Sequence, residues 1–364
     1  MTKIALISNK DNNFYNFRSE LILKLKGLGN EIVLVCPYGK KIDYFLERGC
    51  RHIDIDVDRR GKSISKDLKL IKEYKKILKK EKPDIVLTFT TKSSIYGGYV
   101  CSKLKIPYIV NNAGLLEASG LFEKFMKFLY KKGFKKASCI MFQNSYEMEY
   151  IETILKWKTP YKRIPGSGVN LDKFYYSPYP NGTTIIFNFV ARIAQFKGID
   201  EYLECAKIIK QRYPDTEFRI FGDYDEDKYK QVIEEYEEKG IVKYFGIQMD
   251  MKPFIVACNA AIHPSHYEGM TNVVLEHSAM GRPCIGSNIP GVMDGIENKS
   301  TGYVFQVRNV ADMVSNIEEF IRLSWHEKEE MGKKARAKME KEFDRDLVTN
   351  SYLDVIGKIV SDRN

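Results

Sequence analysis

Two glutamates stand eight residues apart in the stretch EGMTNVVLE, at Glu268 and Glu276. On one straight helix this spacing would separate the carboxylates by about 12 Å, because each residue advances the helix by about 1.5 Å. That distance is too large for a shared proton or a single metal ion. Either the pair is incidental, or the two carboxylates hold different parts of one elongated ligand.

The elements around this stretch indicate what kind of ligand it is. The pattern predicts a strand through Ile262, a loop over 263–269 and a helix over 271–280. The backbone N–H groups of 269–273 then lie at the helix N-terminus, where unpaired donors and the helix dipole favour an anion. A phosphate at these groups, with hydroxyls at the two carboxylates, is the layout of a nucleotide sugar.

A second motif, VARIAQFKGID at 190–200, follows the first strand of the second half of the chain. It places Arg192 and Lys197 in a loop on the side of the sheet where ligands bind. Two cations there can neutralise a diphosphate leaving group, although such a pair alone is often only a solvated surface.

Length and composition restrict the classes of protein to which the chain can belong. At 364 residues the chain predicts two domains, and its formal charge of +10 indicates an anionic partner: nucleic acid, membrane or phosphorylated substrate. The first loop lacks the glycines of a dinucleotide fingerprint, and no phosphate loop is present. No apolar run is long enough to span a membrane. Seven scattered cysteines without a CxxC pair predict reduced thiols in a cytosolic protein.

Strands and helices alternate along almost the whole chain, which predicts βαβ units with parallel sheets. The composition changes near 165–182, where proline, glycine and tyrosine predominate without periodicity. We therefore predict four parts, namely an N-terminal Rossmann-like domain at 1–168, a linker at 169–182, a second Rossmann-like domain at 183–344 and a C-terminal helix at 345–364.

The sequences ARIAQFKGID and HPSHYEGMTNVVLEHSAMGRPCIGSNIPG together resemble glycosyltransferase family 4, the retaining enzymes of GT-B fold, with its Glu-x7-Glu signature. In the first half, FYNFR, DRRGKS and TFTTKSSIYGG resemble the bacterial branch that builds capsular, exopolysaccharide and lipid-linked oligosaccharides. The resemblance implies an α/β fold with two facing Rossmann-like domains. The second domain would hold a nucleotide sugar, the first would hold the acceptor, and the C-terminal helix would cross back to the first.

The resemblance also implies roles for residues. Arg192 and Lys197 would hold the diphosphate, Glu268 the donor hexose near the reacting carbon, and Glu276 the ribose. The predicted catalytic set is Glu268, Arg192 and Lys197, and the predicted donor-binding set is Gly269, Met270, Thr271, Asn272, Val273, Glu276 and His266. The family transfers with retention, needs no metal and uses no cofactor beyond a nucleotide-sugar co-substrate, here expected to be UDP-linked.

The chain departs from the family where a histidine usually follows the strand before residue 113. The sequence there is NNAGLLEASG, with Ala113 or a neighbour in that place, so backbone groups, Asn111 or Asn112 would serve instead. Predicted acceptor contacts in loops after strands are Asn12, Asn13, Arg18, Thr91 and Lys92, and Asn112 is a further one. Arg60, with Arg59 and Lys62, is either a solvated loop residue or a contact to acceptor phosphate. His263 and His266 lack further ligands, so no metal site is predicted.

The stretch LFEKFMKFLYKKGFKKA at 121–137 mixes aromatic residues with lysines. It predicts either an amphipathic helix that binds an anionic membrane surface in plane, or a core-facing helix with a lysine-rich exposed face. A membrane-linked acceptor favours the first reading. We expect a cytoplasmic protein peripherally associated with the inner face of the membrane.

The sequence thus predicts a retaining glycosyltransferase. It would move a hexose or N-acetylhexosamine from a UDP-sugar to a lipid-diphosphate-linked saccharide, with no nucleic-acid partner. The alternatives are a nucleotide-sugar epimerase or hydrolase of similar architecture and, more remotely, a basic nucleic-acid-binding protein. An epimerase or hydrolase would consume the nucleotide sugar without an acceptor, and a nucleic-acid-binding protein would carry a recognition motif, none of which appears in the sequence.

Overall fold

Short apolar runs followed by amphipathic segments give two parallel sheets in the computed structural model, which describes residues 1–58, 64–112, 120–155 and 159–362. These residues form two compact units. The first contains 1–167 together with 346–364, and the second contains 168–345. The assignment of acceptor to the first unit and donor to the second stays a prediction.

The first unit is built on a seven-stranded parallel sheet in the order β3-β2-β1-β4-β5-β6-β7. Its strands are β1 (Lys3–Ile7), β2 (Glu31–Val35), β3 (Arg51–Ile53), β4 (Ile85–Thr88), β5 (Tyr108–Asn112), β6 (Cys139–Phe142) and β7 (Tyr161–Arg163). Side chains alternate between the faces, so Ala5 and Ile7 join one apolar cluster while Ile4 and Leu6 join the other. Both faces are therefore buried, as the continuous apolar runs predicted.

Helices cover both faces of this sheet. They are α1 (Asp11–Phe17), α2 (Ser19–Gly27), α3 (Asp43–Leu46), α4 (Ile64–Glu81), α5 (Thr91–Leu104), α6 (Gly120–Phe134) and α7 (Ser145–Leu155). The placement of four residues differs from the prediction, which put them in loops after strands. Asn12 and Asn13 lie in α1, and Thr91 and Lys92 begin α5, so none of the four is in a loop.

The apolar stripe of α4 was also misplaced by the sequence pattern. The spacing in SKDLKLIKEYKKILKKEK predicts that Leu68, Ile71, Tyr74 and Leu78 share the core-facing side of this helix. In the structure Leu68 is 47% exposed, whereas Leu70 is buried beside Tyr74 and Leu78. Leu68 and Leu70 flank Lys69, so the helical spacing allows either leucine to face the core. Packing against the sheet decides that Leu70 does.

Helix α6 packs its apolar side into the core of the first unit. Met126, Leu129, Tyr130 and Phe134 are buried in the same cluster as the sheet residues, and Phe128 is exposed. For residues 121–137 the structure therefore shows a helix that faces the core, and its binding to a membrane surface stays a prediction. What it exposes is a lysine-rich face, formed by Lys124, Lys127, Lys131, Lys132, Lys135 and Lys136.

The last helix, α15 (Arg345–Ser361), belongs to the first unit from Asp346 onward, although the second unit precedes it in the chain. Val348, Tyr352 and Ile356 recur every four residues and enter an apolar cluster of the first sheet. The Tyr352 hydroxyl donates a hydrogen bond to Asn111 Oδ1 at 2.8 Å. This is the packing that the family resemblance implied for the last helix.

The second unit has a six-stranded parallel sheet in the order β10-β9-β8-β11-β12-β13. Its strands are β8 (Ile185–Val190), β9 (Thr216–Phe221), β10 (Val242–Gly246), β11 (Ala260–His263), β12 (Cys284–Ser287) and β13 (Gly302–Phe305). Its helices are α8 (Ile199–Arg212), α9 (Tyr229–Glu238), α10 (Lys252–Ala257), α11 (Asn272–Ala279), α12 (Pro290–Met293), α13 (Val310–Arg322) and α14 (Trp325–Lys338).

The segment predicted as a linker packs against this second unit. Arg282 is fully buried and donates hydrogen bonds to the carbonyls of Ser177 and Pro178, each at 2.9 Å. It also donates to the carbonyls of Ile255 and Val256 at the end of α10. Because a buried guanidinium must have its donors satisfied, Arg282 fixes residues 177–178 to the unit.

All seven cysteines are free and buried, in agreement with the predicted reduced thiols. Within the described ranges, none of the helices combines the length and apolar character required to cross a bilayer.

Candidate functional site

The central strands of the second sheet bring the two sequence motifs together. Strand β8 pairs with β9 on one side and with β11 on the other, so the strand order reverses between β8 and β11. Ligands of open parallel sheets bind beyond the carboxyl ends of the strands at such a reversal. The loop after β8 carries Arg192 and Lys197, and the loop after β11 carries Glu268.

A glycine lets these two loops touch. Gly198 has φ +75°, and a Cβ there would lie 2.1 Å from the carbonyl oxygen of Pro264. Both the left-handed backbone and the contact exclude a larger residue. The preceding residue, Lys197, is thereby held against the loop that carries Glu268.

Glu268 accepts contacts from three side chains, all at the same carboxylate oxygen. Ser265 Oγ donates to Oε1 at 2.9 Å, His263 Nε2 lies 3.2 Å from it, and Lys197 Nζ forms an ion pair with it. Within the described ranges, no donor contacts Oε2. The described residues therefore fix the carboxylate through Oε1 and leave Oε2 without a donor.

These contacts also fix the charge of Glu268. Burial opposes ionisation, but the His263 hydrogen bond and the Lys197 charge outweigh it and lower the pKa of Glu268 to about 2. Glu268 is therefore ionised at neutral pH and cannot act as a proton donor there.

Arg192 and Lys197 both lie near the Phe196 ring, at 5.2 and 5.3 Å from its centroid. Lys197 ends a short 3₁₀ turn and is largely buried, whereas half of the Arg192 side chain is exposed. Arg192 pairs with Asp225 at 2.5 Å. Both predicted phosphate-binding cations thus have a carboxylate partner, which holds them in place when no anion is bound.

Helix α11 begins directly after the Glu268 loop, as predicted. Its N-cap residue, Thr271, makes no side-chain cap, and its backbone N–H donates to the Gly291 carbonyl at 3.3 Å. A Cβ at Gly291 would lie 2.2 Å from the Gly269 carbonyl oxygen, so α12 packs closely against the turn that precedes α11. The Thr271 N–H, one of the predicted anion donors, is already occupied, which corrects that part of the prediction.

Glu276 lies inside α11 and has a very different environment from Glu268. Within the described ranges its carboxylate makes no hydrogen bond or ion pair. Burial raises the pKa of Glu276 to about 7, although the charges of Lys173 and Arg345 act in the opposite direction. This side chain therefore changes its charge near neutral pH.

His266 is held away from Glu268 by partners on both ring nitrogens. Nε2 lies 2.8 Å from Glu201 Oε1, and Nδ1 accepts from Arg308 Nε at 3.3 Å. The neutral tautomer with a proton on Nε2 satisfies both contacts. The predicted contact of His266 with the donor stays a prediction.

The two histidines do not form a common metal site, because His263 contacts Glu268 whereas His266 contacts Glu201. Another group, on α14, brings ligand atoms of His326, Glu329 and Glu330 within 4.8 Å of one another. Lys333 pairs with both of its glutamates, so an ammonium group already occupies the place of a cation.

The predicted acceptor residues lie in the first unit, at the carboxyl edge of its sheet. Asn13 Nδ2 donates to Asn9 Oδ1 at 3.0 Å, and Asn12 precedes it in α1. Arg18 is buried against the rings of Phe89 and Tyr352. Their contact with an acceptor stays a prediction.

The other predicted acceptor residues are bound within the first unit or lie outside the described residues. Asn112 is buried and donates to Glu147 at 2.8 Å. Lys92 is buried in an ion pair with Asp67 at 3.1 Å, next to Thr91. Arg60 and Ala113 lie outside the described residues.

Sequence reasoning missed three residues of the cluster around Glu268, Arg192 and Lys197. His263 and Ser265 contact Glu268, and Phe196 supports both cations. A signal was present, since all three lie within the two motifs, but pattern alone did not show that HPS points back at the glutamate three to five residues later.

Each half of the chain matches a family model of glycosyltransferases. Residues 3–144 match the model described as "Glycosyl transferase 4-like", and residues 177–338 match "Glycosyl transferases group 1".

Two curated relatives align over most of the chain. The N,N'-diacetylbacillosaminyl-diphospho-undecaprenol alpha-1,3-N-acetylgalactosaminyltransferase of Campylobacter jejuni is 24% identical and covers 98% of this chain and 99% of its own length. The UDP-Gal:alpha-D-GlcNAc-diphosphoundecaprenol alpha-1,3-galactosyltransferase of Escherichia coli is 26% identical and covers 78% of each chain.

Solved structures agree in fold. A glycosyltransferase from Rickettsia africae superposes with a TM-score of 0.80 at 19% identity, over 99% of this chain and 98% of its own. Anabaena HepE in complex with UDP and glucose gives a TM-score of 0.80 at 14% identity, over 98% of this chain and 100% of its own. The predicted GT-B architecture, with two Rossmann-like domains of parallel strands, is confirmed.

With one family model matching each half, full-length relatives of one enzyme class and the same two-sheet fold, the chain belongs to glycosyltransferase family 4 and is a glycosyltransferase of GT-B fold.

Proposed function

We propose that this enzyme transfers a hexose or N-acetylhexosamine, with retention, from a UDP-sugar to a lipid-diphosphate-linked saccharide in bacterial surface-glycan assembly. The observation that carries the proposal is the environment of Glu268. Its carboxylate is ionised, it is fixed at Oε1 by Lys197, His263 and Ser265, and among the described residues it has no partner at Oε2. An ionised acceptor beside a cation suits a sugar hydroxyl next to a diphosphate.

In the proposed reaction the positive groups of the second unit stabilise the leaving UDP. Lys197 and Arg192 would share their present carboxylate partners with the diphosphate, and the first N–H groups of α11 would add partial positive charge. In this proposal these groups would stabilise the charge as it develops on the leaving diphosphate, and no metal ion would be needed. Glu276 would accept hydrogen bonds from the ribose hydroxyls.

The transfer step is a front-face substitution. The bond from the anomeric carbon to the β-phosphate oxygen breaks, and the acceptor oxygen bonds to the same face of that carbon. The proton of the acceptor hydroxyl passes to the departing phosphate. Glu268, with its low pKa, is a poor base, so its role would be to orient the sugar and to stabilise positive charge at the reacting carbon.

The choice of donor and acceptor rests on the relatives. The Campylobacter and Escherichia enzymes are named for transfer to a saccharide on diphospho-undecaprenol, and the second is named for a UDP-sugar. HepE was solved with UDP. We extend both properties to this chain as a proposal.

Peripheral binding to the cytoplasmic face of the membrane would follow from the lysine-rich face of α6, because anionic lipids attract such a surface. Sedimentation with vesicles containing anionic lipid should retain the protein at low salt and release it at high salt. Equal binding to neutral vesicles would contradict this electrostatic mode, since Phe128 is the large apolar side chain exposed among those described for this helix.

The central experiment begins with a thermal-shift panel of UDP- and other nucleotide sugars. A donor present at 100 times its dissociation constant stabilises the protein by about 2.7 kcal/mol. The stabilising donor is then incubated with a lipid-diphosphate saccharide, and the anomeric configuration of the product is read by NMR. Retention is expected.

Two variants test the site in that assay. Glu268→Ala and Lys197→Ala should each lose nearly all transfer while circular dichroism shows an intact fold. Normal turnover in both would refute the site. Rapid loss of the UDP-sugar without acceptor would instead favour an epimerase or hydrolase.

A further inference from the structure

The loop between β11 and α11 is bound to its neighbours by backbone hydrogen bonds as well as by side chains. Its Ser265 carbonyl accepts a hydrogen bond from Ser287 Oγ at 2.6 Å, at the buried end of β12. The backbone N–H of His266 donates to the Phe196 carbonyl at 2.9 Å, in the turn that ends with Lys197. The loop is therefore attached both to β12 and to the turn of Lys197.

The side chain of His266 adds a third attachment, through Glu201 and Arg308. Glu201 stands in the first turn of α8, and its Oε1 lies 2.8 Å from His266 Nε2. Arg308, between β13 and α13, donates from Nε to His266 Nδ1 at 3.3 Å. The side chains of His266 and Glu201 are only 11% and 14% exposed, so solvent does little to weaken their contact.

These two partners determine how the imidazole ring of His266 is oriented. An arginine can only donate, so Nδ1 must accept, and a carboxylate can only accept, so Nε2 must carry the proton. Exchange of the two nitrogens would place a donor against the guanidinium and an acceptor against the carboxylate. Glu201 and Arg308 therefore hold the ring in one orientation and in one tautomer.

Arg308 has a backbone conformation that is rare for residues other than glycine. Its φ is +62°, in the left-handed region. Such strain persists where surrounding contacts hold a residue in place, and it occurs often at functional sites. The contact between the guanidinium and His266 gives a reason for a side chain at a position where glycine would be less strained.

We propose that Glu201 and Arg308 are positioning residues, which act through His266 to hold the Glu268 loop against the turn of Lys197. His266 and Glu268 are two residues apart in one short loop, so a displaced imidazole would move the carboxylate. A misplacement of about 1 Å at a reacting group can cost about 100-fold in rate. This inference rests on the proposed function, because it takes the role of Glu268 from there.

Glu201→Ala removes the carboxylate that fixes the ring and is the central variant. It should lower the kcat of transfer by about 10- to 100-fold, because Glu268 is no longer held in one position. UDP affinity should change by less than about 3-fold, since UDP is proposed to bind Arg192, Lys197 and Glu276. Glu201→Gln keeps an oxygen that accepts from Nε2–H and should restore most of the rate.

Nitrogen-15 NMR of the histidine rings measures the orientation directly and requires no catalysis. The chain has five histidines, so substituting each in turn assigns the signals. In the wild type, His266 should show a single tautomer with its proton on Nε2. In Glu201→Ala it should show a mixture of tautomers, and the His263 signals should shift because that ring contacts Glu268.

Asp200 supplies a matched control in the same turn of α8. It accepts a hydrogen bond from the Tyr229 hydroxyl at 2.9 Å, and within the described ranges it makes no hydrogen bond with His266. Asp200→Ala also removes a carboxylate from the helix N-terminus, so any effect of the helix dipole is common to both variants. It should keep the wild-type kcat and the wild-type His266 signals.

Arg308→Gly tests the other partner and remains decisive if Glu201→Ala does not fold. Glycine relieves the left-handed backbone, so the melting temperature should not fall. The kcat should fall by about 3- to 10-fold, because the ring loses one of its two partners. A purely structural role of Arg308 would instead lower the melting temperature and leave kcat unchanged.

The outcomes separate this inference from the proposed function. Normal kcat in a folded Glu201→Ala protein would overturn the inference, as would unchanged His266 signals or an equal loss in Asp200→Ala. Full transfer by Glu268→Ala would refute the proposed role of Glu268, whereas the NMR signals would still show whether Glu201 holds the ring. An active Glu201→Ala enzyme beside an inactive Glu268→Ala enzyme would refute only the positioning role.

Discussion

The loop before α11 and the interior of α11 each hold one glutamate of the same motif, in opposite surroundings. Glu268 receives contacts from three side chains, and its pKa is lowered to about 2. Glu276 receives none from the described residues, and burial raises its pKa to about 7. One carboxylate is permanently charged, and the other is poised to change its charge.

The difference follows from the elements that surround each residue. Glu268 stands where the loops after β8 and β11 meet, so donors reach it from both. Glu276 projects from the middle of α11, where the backbone donors are used within the helix and Lys173 and Arg345 act only through space. The described residues therefore provide no donor to the carboxylate of Glu276, whereas they provide three to one oxygen of Glu268.

The largest effect is expected from removing the permanent charge. Glu268→Gln keeps the shape of the side chain but leaves Lys197 without its anion and the reacting sugar without a charged acceptor. We expect kcat/KM to fall by about 10³-fold, the scale found for groups that stabilise a transition state. Steady-state transfer assays measure this.

Glu226→Gln is the matched control, because Glu226 is in the same unit and accepts from the Gln195 backbone N–H without touching Glu268. It should retain near-normal activity. A Glu268→Gln enzyme with kcat/KM within a factor of ten of wild type would show that the charge is not needed.

A smaller effect, and one that depends on pH, is expected at Glu276. Ribose hydroxyls bind an ionised carboxylate more strongly than a neutral one, so UDP affinity should rise as pH increases through 7. Glu276→Gln should weaken UDP binding by about 10-fold at pH 8 and much less at pH 6.

Calorimetry in buffers of different ionisation enthalpy provides the direct check. Because bound ribose favours the charged form, UDP binding at pH 7 should release protons in the wild type and fewer in Glu276→Gln. Identical proton release in both proteins would show that a group other than Glu276 releases the protons when UDP binds.

Sequence pattern was sufficient for the alternation of strands and helices, because apolar runs and helical stripes are local features. It was also sufficient for the position of Glu268 before a helix terminus. It did not find α1, where the polar run around Asn12 resembles a loop, and it assigned the stripe of α4 to Leu68 instead of Leu70. Both errors concern segments whose state is decided by packing.

For the same reason, the sequence alone could not predict the protonation states of Glu268 and Glu276. The spacing of Glu268 and Glu276 is visible in one line of letters, but the donors at Glu268 come from residue 197 as well as from residues 263 and 265. Nothing in the spacing shows that Glu276 lacks donors. The buried pair of Asp67 and Lys92 likewise depends on the meeting of α4 and α5.

The two glutamates should also affect stability with opposite sign. For Glu268 the folded pKa of about 2 lies below its usual 4.5, so its stabilisation is present above pH 4.5 and is lost as pH falls toward 2. For Glu276 the folded pKa of about 7 lies above 4.5, so its ionisation destabilises the fold as pH rises from 4.5 to 7.

At pH 8, Glu276→Gln should therefore raise the free energy of unfolding by about 1–3 kcal/mol, since one pKa unit corresponds to about 1.36 kcal/mol. Glu268→Gln should lower it by a similar amount, and the effect of Glu276→Gln should disappear near pH 4. Urea unfolding at both pH values tests this, and a shift of the same sign in both variants would refute the contrast.

The smallest effect is expected between the two glutamates, at Thr271. Its backbone N–H is bound to Gly291, and its hydroxyl makes neither a cap nor another hydrogen bond with the described residues. Thr271→Val keeps the shape and the backbone and removes only that hydroxyl, so kcat/KM should change by less than about 3-fold, below 1 kcal/mol.

Gly291→Ala is the contrasting variant, because its Cβ would press on the Gly269 carbonyl and displace the turn that carries Glu268. A loss of tenfold or more in Thr271→Val would mean that this hydroxyl contacts the donor, and the anion site would then include a side chain in addition to the helix N-terminus.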